Sequence, residues 1–483
     1  MNKGKQFGFF LGPLLFILLE FTLSNNILSE NAIHVLAIGA WLVTWWITEA
    51  APIPVTALLP LVLFPALGVM KMTDAAIPYA NPVIFLFMGG FMIALALEKH
   101  KLHERIALNL IRITGTSGNG IILGFTLATG ILSMWISNTA TALMMLPIAL
   151  SVVDLLKQPQ SEEGEALSRN EKYFALGLLL TIGYSASIGG MATIIGTPPN
   201  VVFAGFMKEF YGKDLEFAKW MLVGLPVATI TLFSCYFIIT RILFPNKMSK
   251  VEGSELLIKR KLDALGTMKK EEKRVLAVFG LTSFCWIFQN PLNSFIGSEV
   301  FNDTNIAMTG GILMFLVPVN FSKSEFLLDW DYTKRLPFGI LILFGGGICL
   351  AKGMETSGIV DLIGNAIAER NTMSLFMLIA ILTSISLFLT EIMSNVALVT
   401  IFIPVVFGIA NGLGINPIIL GMPVTFAASC AFMFPISTPP NAIVFSSGYI
   451  SMKDMVRAGI LLDIASIIII LISTTLLVTW VYT

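Results

Sequence analysis

Long apolar runs constrain the fold of this chain more than any other sequence feature. A helix needs roughly 20 apolar residues to cross a bilayer, and many of the runs approach or exceed that length. Hydrophobic residues make up 56% of the 483 residues and charged residues only 12%, whereas soluble domains carry about 25% charged residues. This composition excludes an ordinary soluble enzyme, a disordered scaffold and a nucleic-acid binder. We predict an all-α polytopic membrane protein with about eleven transmembrane helices. The runs lie near 7–28, 32–48, 52–69, 82–98, 120–156, 173–207, 218–245, 274–290, 304–320, 337–351, 374–411, 416–448 and 454–482.

Four of these runs are not simple spans. Segments 120–156 and 374–411 are too long for one crossing helix and too short for two, so each is predicted to be a re-entrant hairpin. Such backbone is tolerated at membrane depth only where protein or water shields it from lipid. Segments 173–207 and 416–448 each contain a double proline, which a continuous helix does not accept, so each is predicted to be a broken helix.

Basic residues divide unevenly between the two sides of this topology. With the N-terminus in the cytoplasm and both hairpins returning to their own side, 24 Lys and Arg residues lie inside and 6 lie outside. This asymmetry follows the positive-inside rule. The run that begins at Phe7 has no evident small-residue cleavage site, so residues 1–31 are predicted to form a retained N-terminal helix. Residues 246–273 are predicted to be a cytoplasmic linker.

The two halves of the chain resemble each other, which predicts an internal repeat. The first repeat spans residues 32–245 and the second 274–483. Matching motifs lie 257 residues apart around the hairpins and 241 apart at the double prolines. Each predicted repeat crosses the membrane an odd number of times, so the two have opposite orientations, which is a recurring design of secondary transporters. The matching groups are Phe87, Gly89 and Gly90 with Phe344, Gly346 and Gly347; Ser137 and Asn138 with Ser394 and Asn395; Pro147 with Pro404; and Pro198, Pro199 and Asn200 with Pro439, Pro440 and Asn441.

The predicted hairpin tips are polar, unlike the apolar surface of a lipid-facing helix. Ser, Asn and Thr favour helix ends, where free N–H groups hold anions and free carbonyls and hydroxyls hold hard cations. Small polar residues also join helices within membranes, but two tips related by the repeat favour a functional site. The tip residues are Ser137, Asn138 and Thr139 in the first repeat and Ser394, Asn395 and Val396 in the second, preceded one turn earlier by Ser133 and Thr390.

The broken helices carry repeat-related Thr-Pro-Pro-Asn motifs, within 196–200 and 437–441. A Pro-Pro step removes two backbone donors and unwinds the chain, which frees carbonyls for Na⁺ and leaves a half-helix whose N-terminus is partially positive. A lone proline is usually a simple kink, but two motifs at matching positions are more specific. Neither tips nor breaks contain Lys, Arg or His. An anionic substrate would therefore depend on helix ends and bound cations, rather than on the basic rings of an anion pore.

Other polar residues in or near the apolar runs are weaker candidates. Glu391, in the second hairpin, either handles an ion or proton or has a structural role. Asp463, in the last helix, either pairs with Arg457 or lies near water. His100 and His103 are predicted to be surface residues rather than metal ligands. The four cysteines have no metal-binding spacing and are predicted to be buried small hydrophobes.

Paired polar tips together with paired Thr-Pro-Pro-Asn breaks resemble the divalent anion/sodium symporter family. The likeness runs from Thr48, Glu49 and Ala50 to Asn441. It implies a homodimeric elevator-type transporter in the cell (inner) membrane, with Na⁺ as the coupling ion. Carried over residue by residue, it implies sodium ligands Ser133, Ser137, Asn138 and Gly196 at one site and Thr390, Ser394, Asn395 and Ser437 at the other. It also implies substrate contacts from Ser137, Asn138, Thr139, Thr197, Ser394, Asn395, Val396 and Thr438.

The second tip departs from the family pattern at Val396, where the common residue is Thr. Val keeps the branched shape but lacks the hydroxyl, and a missing hydrogen-bond partner in a buried site costs about 1–3 kcal/mol. The leading prediction is sodium-coupled uptake of C4-dicarboxylates such as succinate, malate and fumarate by a protein that contacts membrane lipid and no nucleic acid. A dicarboxylate exchanger and a sodium-coupled citrate or sulfate carrier stay open as alternatives. A membrane enzyme is disfavoured, since no base or nucleophile accompanies the motifs.

Overall fold

The computed structural model describes residues 3–23, 28–156, 168–368 and 373–482, and these are almost entirely helical. The first half contains α1 (Lys3–Thr22), α2 (Glu30–Thr48), α3 (Ile53–Thr56), α4 (Leu59–Ala66), α5 (Met72–Ala76), α6 (Pro82–Lys99), α7 (Leu102–Ile113), α8 (Gly118–Ser133), α9 (Asn138–Asp154), α10 (Arg169–Gly190), α11 (Pro198–Tyr211), α12 (Phe217–Phe237) and α13 (Ser254–Leu265). The second half contains α14 (Lys270–Ile287), α15 (Gln289–Ile296), α16 (Asp303–Leu316), α17 (Phe338–Thr356), α18 (Ile359–Ala368), α19 (Leu375–Thr390), α20 (Asn395–Gly412), α21 (Pro417–Ala428), α22 (Pro439–Phe445), α23 (Met452–Ser473) and α24 (Thr479–Tyr482). Two short strands, β1 (Pro318–Asn320) and β2 (Glu325–Phe326), pair antiparallel.

Within the described residues, eight helical segments are long and apolar enough to cross a membrane on their own. The pair α14 and α15, which meet at a bend of 77°, is a ninth candidate. Several of the remaining helices are apolar but shorter, including both arms of the first hairpin. The predicted all-α, multi-pass fold is confirmed.

One predicted span differs from a simple crossing helix. Segment 52–69 folds as α3, of four residues, and α4, of eight. At a rise of about 1.5 Å per residue, α4 is roughly 12 Å long, less than half the apolar thickness of a bilayer. The cause is the density of proline, since Pro52 is the N-cap of α3, Pro60 opens α4 and Pro65 lies within it.

Each predicted hairpin packs against the broken helix of its own repeat. The first arm, α8, lies along α10, and its counterpart α19 lies along α21. The second arms contact the opposite repeat, because α9 packs against α22 and α20 packs against α11. This exchanged packing follows the repeat predicted from the sequence, and it brings both hairpin tips into the interior of the molecule.

Both ends of the first hairpin meet the predicted linker. The amide of Gly118 donates to the carbonyl of Met248 at 2.9 Å, at the start of α8. At the far end, Leu155 packs beside Gly253, where a Cβ would lie 3.5 Å from the leucine Cδ2. The two ends therefore lie on the same face, as expected of a re-entrant hairpin. The polar loop that follows, 157–167, lies outside the described residues.

Ion pairs group the charged residues by face. Arg105 contacts Glu272 at 2.5 Å and Lys99 contacts Asp329 at 2.7 Å, all in stretches predicted to lie inside. Other pairs join predicted inside residues (Lys5 with Glu49, Arg335 with Glu98) or predicted outside residues (Lys208 with Asp214, Lys352 with Glu209). These pairs join residues of one predicted side, so the packing agrees with the sidedness derived from basic residues.

Candidate functional site

Four helices begin at the polar motifs that the sequence singles out. The N-caps are Ser137 for α9, Thr197 for α11, Ser394 for α20 and Thr438 for α22. Repeat-related caps share backbone geometry: φ/ψ is −144°/142° at Thr197 and −140°/148° at Thr438. The sequence folds this way because Ser and Thr favour the N-cap and proline suits the first turn of a helix.

The four cap hydroxyls are used differently. Ser137 Oγ accepts from the amide of Ala140 at 3.2 Å, and Thr438 Oγ1 accepts from the amide of Asn441 at 3.3 Å. The side chains of Thr197 and Ser394 make no capping bond. Two hydroxyls at helix N-termini thus remain available to a ligand, and helix N-termini favour anions.

The first tip and first break gather oxygen atoms around the Asn138 side chain. Ser133 Oγ lies 2.6 Å from the amide group and donates to the carbonyl of Ala186, also at 2.6 Å. The amide lies 3.0 Å from the Ala186 carbonyl and 3.3 Å from that of Gly196. With Nδ2 turned inward, Asn138 donates to these oxygens, and with Oδ1 turned inward it completes an oxygen cluster. Hard cations prefer hydroxyl, carbonyl and amide oxygens as ligands, so this set of oxygens fits Na⁺.

Close backbone approach is required at the first break. A Cβ on Gly196 would lie 2.5 Å from the carbonyl oxygen of Gly190, and a Cβ on Gly190 would lie 3.0 Å from that of Gly196. No larger residue fits at either position without moving the main chain. The glycines therefore hold the unwound segment against the end of α10, with the Gly196 carbonyl beside Asn138.

The second tip and second break repeat this arrangement. Thr390 Oγ1 lies 2.8 Å from Asn395 Oδ1 and donates to the carbonyl of Ala428 at 2.8 Å. Ser437, at the position of Gly196, donates its hydroxyl to the Glu391 carbonyl and to Glu391 Oε2, each at 2.8 Å. Because its proton points to Glu391, the lone pairs of Ser437 Oγ stay free for a cation.

The asparagine of each Thr-Pro-Pro-Asn motif braces the unwound backbone. A break leaves helix-end carbonyls without amide partners, and the buried Asn side chain supplies two donors. The bonds run from Asn200 Nδ2 to the carbonyls of Gly190 (3.2 Å) and Thr193 (2.8 Å), and from Asn441 Nδ2 to those of Ala431 (2.9 Å) and Phe434 (3.2 Å). All four bonds obey the 241-residue offset, so the two breaks have the same fold.

The two breaks lie against each other in the interior. Cys430 Sγ lies 3.8 Å from Met191 Sδ, which joins the ends of α21 and α10 directly. Thr197 and Thr438 are buried, whereas the tip residues are half-buried. The half-buried set is Ser137, Asn138, Thr139, Ser394, Asn395 and Val396. A partly accessible polar site flanked by buried supports is the form expected of a binding site rather than of a helix–helix contact.

The structure brings the predicted site residues together in two repeat-related groups and adds members that the sequence did not identify. The carbonyls of Ala186 and Ala428 are new, since a backbone oxygen has no residue-type signature. Thr193 is also new, and its hydroxyl donates to the carbonyl of Met134 at 2.7 Å. The bracing asparagines Asn200 and Asn441 could have been inferred from their place in the repeated motif.

Of the weaker candidates, the two histidines lie apart from this site, whereas Glu391 bonds to Ser437 within it. His103 is buried, not at the surface as predicted, and a bond of its Nδ1 to the carbonyl of Leu97 at 3.0 Å satisfies the buried ring. His100 Nε2 bonds to the carbonyl of Leu327 at 2.7 Å. Within the described part of the chain, no group of three or more His, Cys, Asp or Glu side chains could hold a metal ion. Cys235, Cys349 and Cys430 are buried and Cys285 is half-buried.

Hairpins and broken helices that meet inside a multi-pass helical protein define a secondary membrane transporter. Comparison with known proteins identifies the family. The family model described as the sodium:sulfate symporter transmembrane region matches residues 11–483. This chain belongs to the sodium:sulfate symporter family and is a multi-pass membrane protein, not an enzyme.

Relatives agree over nearly the whole chain. The sodium-dependent dicarboxylate transporter SdcS of Staphylococcus saprophyticus is 42% identical over 480 residues, covering 99% of this chain and 92% of the relative. SdcS of Staphylococcus aureus is 40% identical over 473 residues, covering 98% and 91%. Two solved structures share the fold at 14% identity: MtrF of Neisseria gonorrhoeae (TM-score 0.57, covering 85% of each chain) and the YdaH transporter of Alcanivorax borkumensis (TM-score 0.56, covering 84% and 87%).

Proposed function

We propose that this protein takes up C4-dicarboxylates such as succinate, malate and fumarate across the cell (inner) membrane, coupled to Na⁺. The observation that carries the proposal is the meeting of two repeat-related polar breaks in the interior, each beside a hairpin tip. The names of the relatives, both sodium-dependent dicarboxylate transporters, support the same substrate and coupling ion.

Two sodium ions would bind at the repeat-related oxygen sets. The first set consists of Ser133, Ser137, Asn138 and Gly196, and the second of Thr390, Ser394, Asn395 and Ser437. The Asn138 amide supports the first assignment, since with Oδ1 turned inward it places an oxygen within 3.3 Å of the Ser133 hydroxyl and the Ala186 and Gly196 carbonyls. The Ser437 hydroxyl supports the second, because its proton is already donated to Glu391.

The dicarboxylate would lie between the two tips. Its carboxylates would meet the N-termini of α9 and α20 and the cap hydroxyls, with contacts from Ser137, Asn138, Thr139, Thr197, Ser394, Asn395, Val396 and Thr438. A helix N-terminus carries roughly half a positive charge. Two such ends and two sodium ions supply the positive charge that the motifs lack in side chains, so the empty carrier would bind a dianion poorly without Na⁺.

The orientation, oligomeric state and transport movement of the whole carrier complete the proposal. The N-terminus would be cytoplasmic, since the face that holds most Lys and Arg residues is inside under the positive-inside rule. The protein would work as a homodimer embedded in lipid, with hairpins and breaks moving together as an elevator. The exchanged packing of α9 on α22 and of α20 on α11 supports a joint movement, because it ties both hairpins to both breaks.

Uptake by purified protein in proteoliposomes tests the proposal. Radiolabelled succinate should accumulate when an inward Na⁺ gradient is imposed, because Na⁺ completes the anion site. Equal accumulation in choline buffer would reject sodium coupling. Uptake that requires a trapped dicarboxylate instead of a Na⁺ gradient would mean exchange.

The substrate class needs a separate test, since Val396 removes a hydroxyl from the site. A competition panel of succinate, malate, fumarate, citrate and sulfate against labelled succinate would rank the anions. We expect the three C4-dicarboxylates to compete most strongly. Stronger competition by citrate or sulfate would replace the C4-dicarboxylate assignment.

A further inference from the structure

A buried carboxyl group lies behind the second tip. Asp463, in α23, is 1% exposed, and neither of its carboxylate oxygens has a hydrogen-bond donor among the described residues. An unpaired charge at such a position is very costly. The group that faces it is Glu391, which is also 1% exposed. Two buried carboxyl groups in contact do not both keep their charge without a bound cation or proton.

Glu391 is the one of the two that is surrounded by donors. Its Oε1 accepts from the amides of Phe432 and Met433 at 2.6 and 3.0 Å. Its Oε2 accepts from Ser437 Oγ at 2.8 Å. A carboxylate that receives three donors is stabilised in its charged form. Asp463 has no such donors, so the shared proton belongs on Asp463.

The internal repeat allows a direct comparison with the first half. Gly224 in α12 and Gly459 in α23 occupy matching places, because each contacts the backbone of its own break. A Cβ on Gly224 would lie 2.7 Å from the carbonyl oxygen of Met191, and a Cβ on Gly459 would lie 2.6 Å from the backbone nitrogen of Met433. These close approaches align α12 with α23.

Under this alignment, the positions that match Asp463 and Glu391 hold apolar residues in the first half. Ala228 stands four residues after Gly224, where α23 has Asp463. Met134 stands 257 residues before Glu391, at the matching position of the first tip. Ala228 and Met134 are both buried. The two carboxyl groups are thus present together in one repeat and absent together in the other, which indicates that they act as a pair.

We propose that Asp463 is a positioning residue for the second sodium site and acts through Glu391. Its neutral carboxyl donates a hydrogen bond to the Glu391 carboxylate, which in turn orients the Ser437 hydroxyl and the backbone of the second break. Among the described residues, the other titratable groups beside the pair are Tyr184, whose hydroxyl donates to the carbonyl of Met455 at 3.3 Å, and the Cys430 thiol. This inference rests on the sodium sites of the proposed function and adds a residue from a third element to one of them.

Sodium-dependent thermal stability of the purified protein tests the role of Asp463 without requiring transport. A ligand that binds the folded state stabilises it by RT ln(1 + [L]/Kd) and so raises Tm. Fitting this relation to a titration of Na⁺ against choline at constant ionic strength gives the apparent Kd, which is the half-saturating Na⁺ concentration. Asp463→Asn keeps a hydrogen-bond donor on a side chain of the same shape. Its half-saturating Na⁺ concentration should stay within about twofold of the wild-type value. Asp463→Leu removes the donor and should raise the half-saturating Na⁺ concentration about fivefold to tenfold.

Controls separate positioning from general damage. Asp454→Leu, on the first turn of the same helix, should leave the Na⁺ titration unchanged. In proteoliposomes, Asp463→Leu should raise the Na⁺ requirement while the KM for succinate at saturating Na⁺ stays the same. Asp463→Ala replaces the leucine variant if that variant does not fold.

Two results would overturn the proposal. An unchanged Na⁺ titration in both Asp463→Leu and Asp463→Ala would show that Asp463 does not support the sodium site. Equal weakening by Asp463→Asn and Asp463→Leu, with a lower Hill coefficient for Na⁺, would show that Asp463 binds a cation directly. A wild-type protein that responds to Na⁺ but does not transport succinate would contradict the proposed substrate and leave the role of Asp463 supported by its own titration.

Discussion

At the scale of single residues, the proposed site depends on side chains that are uncharged. Asn138 and Asn395 each lie beside a hydroxyl one turn earlier in the hairpin, Ser133 and Thr390, at 2.6 and 2.8 Å. Both hydroxyls also donate to a carbonyl of the same repeat's broken helix. The two hydroxyls therefore join each hairpin to its broken helix, and the asparagine amides can present an oxygen to a cation.

Asn138→Ala and Asn395→Ala should each remove most succinate uptake. Either change deletes an oxygen ligand and one of the two hydrogen-bond partners of the neighbouring Ser133 or Thr390 hydroxyl, at a cost of about 1–3 kcal/mol, or roughly tenfold or more in Na⁺ affinity. The measurement is initial uptake under a Na⁺ gradient, with size-exclusion chromatography to check folding. Asn411→Ala, at the C-terminal end of α20 where Asn411 bonds to Tyr211, is the matched control and should transport normally. Normal rates in the Asn138 and Asn395 variants would reject the site.

Val396→Thr should restore a hydroxyl at the first turn of α20. Because Val396 is half-buried beside Asn395, the added donor is expected to lower the KM for succinate by up to about tenfold. The KM at saturating Na⁺ measures this effect. Val405→Thr, farther along α20 and also half-buried, provides the comparison. A higher KM for Val396→Thr than for Val405→Thr would mean that the site is shaped for an apolar group at this position.

At the scale of helices, the double prolines do more than interrupt a span. Each break ends one helix and starts another with a Thr cap, and the motif's own asparagine satisfies the carbonyls that unwinding exposes. The same broken-helix structure occurs in both repeats, and the two breaks contact each other through Met191 and Cys430. A continuous helix at either position would remove the carbonyls proposed to hold Na⁺.

Asn200→Ala should destabilise the first break and Asn441→Ala the second by a similar amount. Each loses two hydrogen bonds to buried carbonyls, and each unsatisfied carbonyl costs about 1–3 kcal/mol. The check is Tm in Na⁺-free buffer, which both variants should lower. Asn109→Ala should lower Tm much less, because the native side chain only donates to the Arg105 carbonyl within the amphipathic helix α7. A Tm unchanged by the Asn200 substitution would show that the brace does not support the break.

Much of this element-level picture follows from the sequence because the repeat duplicates its signals. Ser137 and Asn138 recur at Ser394 and Asn395, and the double prolines recur with their caps, so a helix pair could be predicted at each hairpin and at each break. Three features could not. Segment 52–69 is apolar enough for a span, but its prolines divide it. The carbonyl of Ala186 has no sequence signature, and the contact of Asp463 with Glu391 depends on how α23 packs.

At the scale of the whole molecule, the two predicted repeats pack their hairpins and broken helices against each other in the interior, where we propose the binding site. Each hairpin packs on its own broken helix and on the second half of the other. Ion pairs join residues of the same predicted face, so charged groups stay at the two surfaces. The interior is left with polar but mostly uncharged groups, and the acidic pair of Glu391 and Asp463 lies behind one tip. A dianion in such a site needs positive charge that arrives with it.

Calorimetric titration of succinate into the purified protein at varied Na⁺, with choline keeping the ionic strength constant, tests that central claim most directly. If helix ends and bound sodium ions replace basic side chains, binding of anion and cation is thermodynamically coupled. The Kd for succinate should then fall by about tenfold or more as Na⁺ approaches saturation, and Asn138→Ala should weaken this dependence. A Kd that is the same in sodium and in choline would contradict the account.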